Sequence, residues 1–362
     1  MNRISVSYNG KPCYEIVFHD RFAGLAGFIR DLGFAGRRIA IITDSTVIGL
    51  YEREIREELS QISDRVCTFS FPAGEDSKHL GTIEQIYSFL IGEHFDRHDL
   101  VIALGGGVTG DIAGFAAASY LRGVSFVQVP TTVLAQCDSS VGGKTGVDFS
   151  GYKNMVGAFK MPALVWINTQ VLKTLDERQF IAGFGEVLKY GLIRDVSFFD
   201  WLIEHREKLL ARDAELLSEM IRRCCEIKRD VVEQDPEEKG LRAILNFGHT
   251  IGHAVEKYLR FNRMHGECVA LGMRAALDIS CRRGLISRDD DERISKTIED
   301  FGLPVRESGL DKDEILTLMR SDKKMDGDNI SFILLDPPGN ARIMRDVTAD
   351  ELLYGIEQIC LS

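Results

Sequence analysis

Three histidines and one glutamate lie in segments whose spacing could bring them around a metal ion. His249 and His253 are four residues apart and share one face of a predicted helix, and His265 precedes the next helix. Glu186 and Lys189 are three residues apart on one face of an earlier helix. One carboxylate and two imidazoles with an open coordination position are typical of a catalytic zinc site. Spacing alone favours His249 with His253, and leaves the choice between His253 and His265 open.

A glycine-rich run at residues 105–111 follows an apolar, strand-like run at residues 100–104. Glycines between a strand and a helix let backbone N–H groups approach a pyrophosphate, and a helix N-terminus favours the anion. The spacing is not G-x-G-x-x-G, so the ordinary Rossmann fingerprint is not met. We therefore predict a phosphate-binding turn of another type. Residues 74–78 follow a second strand and alone would be read as an exposed loop.

Residues 130–159 combine many glycines with polar side chains, and we predict that they form a long functional loop. A loop of this length in a compact domain is usually functional or disordered, and the mixture of apolar and polar residues argues against disorder. Lysines between glycines suit the binding of phosphate or carboxylate. The polar residues of interest are Thr131, Thr132, Asp138, Lys144, Lys153 and Asn154.

The hydrophobic pattern predicts two domains. Strands at residues 38–43, 65–71, 100–104 and 125–129 alternate with helices at residues 47–59, 79–95 and 110–120, which indicates parallel βαβ units. Helical spacing follows at residues 177–193, 198–232, 242–258, 266–283, 293–301 and 349–360, with one late hairpin at residues 330–335 and 341–344. We expect an α/β nucleotide-binding domain over residues 1–175 and a mostly α-helical domain over residues 176–362.

Composition excludes several classes of protein. The 362 residues carry a formal net charge of −11 and no long basic run, which argues against nucleic-acid binding. No apolar run is long enough for a membrane span, and the N-terminus does not have the pattern of a signal peptide. The eight cysteines form no C-x-x-C pair, so we expect reduced thiols and a cytoplasmic protein.

In order and approximate separation, these motifs resemble the 3-dehydroquinate synthase family, from about residue 74 to residues 322–324. The resemblance implies a two-domain fold with NAD bound by the N-terminal domain and one divalent metal, zinc or cobalt. It implies the metal ligands Glu186, His249 and His265, and it leaves His253 as a pocket residue. Arg122 matches an arginine that reaches the neighbouring subunit's site, so a homodimer is implied.

The resemblance also assigns residues to the cofactor and to the substrate. Its cofactor-side matches are Asp44, Gly74, Glu75, Lys78, Gly106, Gly107, Val108, Thr109, Gly110, Asp111, Thr131, Thr132, Lys144, Lys153, Val171, Leu172, Lys173 and Thr174. Its substrate-side matches are Asp138, Lys144, Asn154, Lys189, Lys228, Arg242 and Asn246, with one lysine of the pair Lys323 and Lys324, of which Lys324 is favoured. Residues 148–152, DFSGY, depart from the family's usual Asn-His-Pro-Leu-Gly.

The implied reaction converts 3-deoxy-D-arabino-heptulosonate 7-phosphate to a carbocycle. It comprises transient oxidation at C5, β-elimination of phosphate, reduction, ring opening and an intramolecular aldol closure, with no net redox change. His253 and a phosphate oxygen of the substrate are candidate proton carriers. The alternatives are a sister sugar phosphate cyclase, a metal-dependent polyol dehydrogenase and a non-enzymatic NAD-binding regulator.

Overall fold

A seven-stranded sheet organises the first of two units in the computed structural model, which describes residues 2–320, 325–326 and 329–361. The units are Met1–Leu175 and Asp176–Ser362. The sheet has the order β1-β2-β9-β6-β5-β3-β4, and all neighbours are parallel except β1 and β2. The strands of this unit are β1 (Asn2–Tyr8), β2 (Lys11–His19), β3 (Ile39–Asp44), β4 (Val66–Phe71), β5 (Leu100–Gly105), β6 (Ser125–Pro130), β7 (Lys144–Phe149), β8 (Tyr152–Phe159) and β9 (Leu164–Asn168).

Helices cover both faces of this sheet, which explains why its central strands are apolar throughout. In β3, Ile39 and Ile41 pack into one core, and Ala40 and Ile42 pack into the other. The first core also receives residues of α1 (Leu25–Asp31) and α2 (Arg53–Leu59), and the second receives residues of α3 (Leu80–Gly92) and α4 (Gly107–Ser119). The predicted α/β N-terminal fold is confirmed.

The prediction of a long loop over residues 130–159 is wrong, because β7 and β8 form an antiparallel hairpin there. The glycines that suggested a loop are needed for close backbone approach. A Cβ atom at Gly157 would overlap the carbonyl oxygen of Thr145 on the facing strand. The pattern also gave no prediction of β1, β2, α1 or β9.

The second unit is mostly helical, as expected. Its helices are α5 (Glu177–Arg194), α6 (Val196–Leu210), α7 (Ala214–Gln234), α8 (His249–Tyr258), α9 (His265–Arg282), α10 (Arg288–Asp300), α11 (Lys312–Arg320) and α12 (Ala349–Ile359). Short strands accompany them: β10 (Glu307–Ser308), β11 (Met325–Asp326), β12 (Asn329–Ile330), β13 (Phe332–Leu335), β14 (Ala341–Met344) and β15 (Cys360–Leu361). The predicted late hairpin is confirmed by the pairing of β13 with β14.

Two predicted helices of this unit have other boundaries in the structure. The helix expected over residues 198–232 is divided into α6 and α7, because the side chain of Asp213 accepts the N–H groups of Glu215 and Leu216 and starts a new helix. The helix expected over residues 242–258 begins as the 3-10 segment Leu241–Asn246, and α8 starts only at His249.

Helix α9 is buried on nearly every side and packs against α5, α8 and α12. Within the described residues, no helix has the combination of length and apolar character that crossing a bilayer requires.

Candidate functional site

Three helices of the second unit bring Glu186, His249 and His265 together. Glu186 lies in the middle of α5 and is fully buried, while His249 and His265 are the first residues of α8 and α9. Oε1 of Glu186 lies 3.2 Å from Nε2 of His249 and 3.3 Å from Nε2 of His265. The nearest ring nitrogens of His249, His253 and His265 also lie within 4.8 Å of one another. Residues separated by up to 79 positions in the sequence thus share one small volume.

Glycines next to these residues let the helix backbones touch. A Cβ atom at Gly185 would overlap the carbonyl oxygen of Gly266, which draws α5 against the start of α9. A Cβ atom at Gly272 would overlap the carbonyl oxygen of Gly248, which precedes His249. Larger residues at these positions would separate the helices, so the glycines determine how closely the three side chains can approach.

The charge on Glu186 is stabilised in spite of its burial. Burial alone would favour the neutral acid, but Lys189, with which Glu186 forms an ion pair, and His249 hold the pKa of Glu186 well below its usual range. Burial likewise disfavours protonation of His265, but the carboxylates of Glu186 and Glu256 raise the pKa of His265 to about 9. The centre therefore presents an anionic oxygen that attracts positive charge.

The arrangement fits a divalent cation. Oε1 of Glu186 is buried and has no hydrogen-bond partner within the described residues, although two imidazole nitrogens lie near it. Nδ1 of His249 lies 3.1 Å from the carbonyl oxygen of Phe247, which can only accept, so this nitrogen carries the proton and Nε2 keeps its lone pair. A buried carboxylate oxygen and two imidazoles form a ligand set that suits zinc or cobalt.

Glu256 and Glu238 are functional candidates that the sequence analysis missed. Oε2 of Glu256 lies 3.4 Å from Nδ1 of His265, the position of a carboxylate that orients a metal-binding imidazole. Oε1 of Glu238 accepts a hydrogen bond from Nδ2 of Asn246 at 2.8 Å. The position of Glu256 three residues after His253 on one helical face was a usable signal, whereas nothing in the sequence pattern pointed to Glu238.

The predicted substrate-side residues of this unit lie on elements that pack together. Lys189 on α5, Lys228 on α7 and Arg242 on the 3-10 segment are all buried, and the three elements contact one another. Arg242 donates from Nη1 to the carbonyl oxygen of Pro236 at 2.6 Å, and its backbone N–H donates to Asp235. Three cations in a buried region would favour an anionic ligand. Lys323 and Lys324 lie outside the described residues.

The predicted cofactor residues follow the carboxyl ends of parallel strands in the first unit. These ends lie along one edge of the sheet, where nucleotides bind in open α/β folds. Asp44 ends β3, residues 74–78 follow β4, residues 106–111 follow β5, Thr131 and Thr132 follow β6, and residues 171–174 follow β9. The strand order reverses between β3 and β5, so Asp44 and the glycine turn lie at the topological switch point.

The glycine turn fits a pyrophosphate. Helix α4 starts at Gly107, where a Cβ atom would press against Ser139 at 3.1 Å and Leu134 at 3.3 Å. Oδ2 of Asp44 accepts a hydrogen bond from the hydroxyl of Thr109, which joins the end of β3 to the first turn of α4. The backbone there is thus held at a helix N-terminus, an arrangement that favours phosphate oxygens.

A charged cluster lies beside the hairpin of β7 and β8. Nζ of Lys78 lies 2.7 Å from Asp111, and Nζ of Lys153 lies 3.1 Å from Glu75. Burial opposes the charge on Lys78, but Asp111 and Glu75 raise its pKa above the usual range. The cluster therefore joins three predicted cofactor segments through complementary charges.

The remaining predicted residues of this unit lie in turns near these segments. Asp138 is in the helical turn Ala135–Ser139, Lys144 begins β7, and Asn154 lies in β8 with a left-handed φ of 52°. Arg122 follows Leu121 in an exposed turn where both residues have positive φ, 67° and 50°. Backbone strain of this kind is concentrated at functional positions.

Comparison with known proteins gives matches over most of the chain. A family model described as 3-dehydroquinate synthase N-terminal matches residues 68–182, and one described as 3-dehydroquinate synthase C-terminal matches residues 183–325. A curated 3-dehydroquinate synthase from Acetivibrio thermocellus is 44% identical over 321 residues, which is 89% of each chain.

Two solved structures extend the similarity to the whole fold. A 2-epi-5-epi-valiolone synthase from Streptomyces hygroscopicus subsp. jinggangensis, with NAD+ and Zn2+ bound, has a TM-score of 0.88 at 26% identity and covers 98% of both chains. A 2-deoxy-scyllo-inosose synthase complexed with carbaglucose-6-phosphate, NAD+ and Co2+ has a TM-score of 0.84 at 25% identity, and covers 98% of this chain and 99% of that one.

Proposed function

Because the chain belongs to the 3-dehydroquinate synthase family, we infer that it converts 3-deoxy-D-arabino-heptulosonate 7-phosphate to 3-dehydroquinate and inorganic phosphate. It is a carbon–oxygen lyase that uses NAD and one divalent metal, and it serves the shikimate pathway of aromatic amino acid biosynthesis. The observation that carries this inference is the buried Oε1 of Glu186, which lies within 3.3 Å of Nε2 of both His249 and His265.

Glu186, His249 and His265 hold the metal in this proposal, and the turn at residues 106–111 holds the pyrophosphate of NAD. A bound divalent cation lowers the pKa of coordinated sugar hydroxyls, and bound NAD accepts a hydride and returns it. Glu256 orients the imidazole of His265 through Nδ1. Asp44, Glu75, Lys78 and Lys153 support the nucleotide from neighbouring strand ends.

The buried cations bind the substrate's carboxylate and phosphate. Lys189, Lys228 and Arg242 come from three elements that pack together, so they place three positive charges in one buried region. Asn246, Asp138, Lys144 and Asn154 orient the sugar hydroxyls and the leaving phosphate. His253 is the candidate proton carrier, with its ring centroid 5.3 Å from that of His249.

Substrate choice is tested by phosphate release. Purified protein with NAD should release phosphate from the heptulosonate phosphate and lose this activity on incubation with a chelator, and added zinc or cobalt should restore it. Sedoheptulose 7-phosphate, which lacks the carboxylate, should be a poor substrate. Faster turnover of sedoheptulose 7-phosphate would instead identify a sister cyclase, and activity that survives complete metal removal would reject the metal centre.

A homodimer in the cytoplasm completes the proposal. Arg122 lies in a strained, exposed turn, and this suits a side chain that reaches across to a second subunit's site. All eight cysteines lie in the described part of the chain and none of them forms a disulfide, which fits a reducing compartment.

A further inference from the structure

We propose that Arg178 and Glu267 are positioning residues that hold His265 beside Glu186. The proposal rests on the proposed function, because it assumes that His265 and Glu186 bind the metal. Neither Arg178 nor Glu267 belongs to the ligand set. They act on it by fixing the start of α9, on which His265 lies, against the start of α5, which carries Glu186 in its middle.

The two side chains form a two-point contact. Nε of Arg178 lies 2.9 Å from Oε1 of Glu267, and Nη2 lies 2.8 Å from Oε2. Two parallel hydrogen bonds between a planar guanidinium and a carboxylate fix direction as well as distance. Glu267 is largely buried, with 10% of its side chain exposed, whereas 46% of Arg178 is exposed. The main effect of the pair is therefore to fix the position of the two helix starts, since a half-exposed ion pair adds little stability by charge alone.

The same two residues also hold the segment that leads into His265. Oε2 of Glu267 accepts the backbone N–H of Met264 at 2.9 Å, directly before His265. Nη2 of Arg178 donates to the carbonyl oxygen of Asn262 at 3.1 Å. The approach to His265 is thus tied at two backbone points, once from α9 itself and once from α5.

This segment needs such support because of its backbone conformation. Arg260 and Phe261 both have positive φ, 51° and 60°, a region that residues with a Cβ atom rarely adopt. The strained turn separates α8, with His249, from α9, with His265. Without the contacts to Asn262 and Met264, relaxation of this turn would shift the first residue of α9.

Close backbone contact makes the centre sensitive to such a shift. Gly266, between His265 and Glu267, lies so near α5 that a Cβ atom there would overlap the carbonyl oxygen of Ala182. Glu186 follows Ala182 by one helical turn, so a displacement at Gly266 changes the distance from Glu186 to His265. Arg178 lies one helical turn before Ala182, and Glu267 directly follows Gly266, so the pair of side chains keeps this contact closed.

The test compares zinc affinity with stability of the metal-free protein. We expect Arg178→Lys and Glu267→Gln each to weaken zinc binding, measured by chelator competition, by about 10-fold, as for other residues that orient metal ligands. The double variant should lose less than the sum of the two single losses, because both changes break the shared contact between Arg178 and Glu267. Arg206→Lys, in the ion pair with Asp300 of the same unit, is the matched control and should leave zinc affinity unchanged.

A second readout separates positioning from general destabilisation. The urea midpoint of the metal-free Arg178→Lys and Glu267→Gln variants should match that of Arg206→Lys. Unchanged zinc affinity in both variants, or a loss equal to that of the control, would overturn the positioning role. A wild-type protein that binds no zinc or cobalt would overturn the proposed metal centre as well, so the two failures are distinguishable.

Discussion

Three imidazoles lie near Glu186, and the atoms that each ring contacts distinguish the predicted ligands His249 and His265 from His253. Nε2 of His249 and of His265 both lie within 3.3 Å of Oε1 of Glu186. Their Nδ1 atoms lie beside the carbonyl oxygen of Phe247 and a carboxylate oxygen of Glu256. Such outer contacts are typical of metal-binding histidines, because they fix the tautomer and the direction of the ring.

The ligand set predicts a difference between two histidine substitutions. His265→Ala should abolish both zinc binding and phosphate release, because the centre loses one of three protein ligands. His253→Ala should retain zinc and lose mainly turnover. Metal content after gel filtration, measured beside the initial rate, checks both. Retention of a full equivalent of tightly bound zinc by His265→Ala, with loss in His253→Ala, would exchange the two roles.

Asp148 lies in the segment that departs from the family pattern, and its contacts predict a role in NAD binding. Its Oδ1 accepts the backbone N–H of Asn154 at 2.8 Å, and its own N–H donates to the carbonyl oxygen of Lys78 at 2.8 Å. Asp148→Ala should weaken NAD binding by about 10-fold, the equivalent of one hydrogen bond of roughly 1.4 kcal/mol. Asp148→Asn keeps an acceptor and should bind more tightly than Asp148→Ala. Calorimetric titration with NAD measures both, and equal affinity in Asp148→Ala and wild type would exclude the role.

The sequence predicted many residues of the candidate site, but not which of them contact one another. Glu186, His249 and His265 were assigned from the family motif, although helical spacing alone favoured His253. Glu256 and Glu238 escaped because their partners, His265 and Asn246, lie on other elements. Arg178 escaped because its partner Glu267 lies 89 positions away. Carboxylates and arginines are also common on exposed helix faces, so their residue type gave no signal.

Several helices and strands of this protein approach one another closely at glycines. Substitution of one such glycine tests whether the close approach requires it. Gly272→Ala should lower the free energy of unfolding by at least about 2 kcal/mol, because the new Cβ atom overlaps the carbonyl oxygen of Gly248. Zinc affinity should fall as well, since His249 follows Gly248. Urea unfolding and chelator competition measure these effects.

A glycine in open space is the matched control for that experiment. A Cβ atom at Gly92, the last residue of α3, would meet nothing within 4 Å. Gly92→Ala should therefore be neutral or slightly stabilising. If both alanine variants were equally stable, close packing of α8 on α9 would not be what requires glycine at position 272.

Helix α9 also carries a buried carboxyl group whose titration should affect stability. Burial raises the pKa of Asp278 to about 6, and Asp291 adds to this while Arg274 opposes it. The folded state thus holds a proton that the unfolded state releases near pH 4. This contribution to stability is fully present below about pH 4 and is lost as the pH rises to about 6.

Asp278→Asn should remove that part of the pH dependence. Relative to wild type, the variant should gain stability between about pH 4.5 and pH 7, as measured by urea midpoints. Glu292→Gln changes a carboxyl group that is 71% exposed on α10 and serves as the control. A wild-type profile parallel to that of Asp278→Asn across this range would contradict the shift.

Element prediction succeeded where hydrophobic period and caps agreed, and failed where glycine served packing. The apolar run of β5 is short and is followed by glycines, which favours a strand, and α5 has a helical period. The hairpin of β7 and β8 was misread as a loop, because Gly146 and Gly157 face each other where side chains would otherwise alternate. The break between α6 and α7 depends on the cap at Asp213, a signal that the helical period does not include.

At the scale of the whole molecule, the fold class and the family resemblance are confirmed by the comparisons. Motif order carried this prediction, because several short motifs in sequence are far more specific than any one alone. The oligomeric state could not be predicted from the hydrophobic pattern, because a second subunit contributes no signal to the sequence pattern of one chain. Arg122 gives the proposed homodimer a direct functional test.

Complementation between two inactive variants tests whether Arg122 acts across subunits. Arg122→Ala and His265→Ala should each be inactive alone, but mixed dimers should contain one intact site. Random mixing in equal amounts makes half of the dimers mixed, so about a quarter of wild-type activity should return. Phosphate release from co-expressed variants measures it. If mixed dimers are shown to form but no activity returns, Arg122 does not act in the site of the other subunit.

In the proposed reaction NAD works as a true catalyst together with a metal held by Glu186, His249 and His265, and counting products per NAD tests this most directly. Protein freed of nucleotide is supplied with a small, known amount of NAD and excess heptulosonate phosphate, and phosphate, 3-dehydroquinate and NADH are measured in the same sample. We expect equal amounts of phosphate and 3-dehydroquinate, in large excess over NAD, with no accumulation of NADH. Formation of one NADH for each substrate consumed would contradict it and would identify a dehydrogenase.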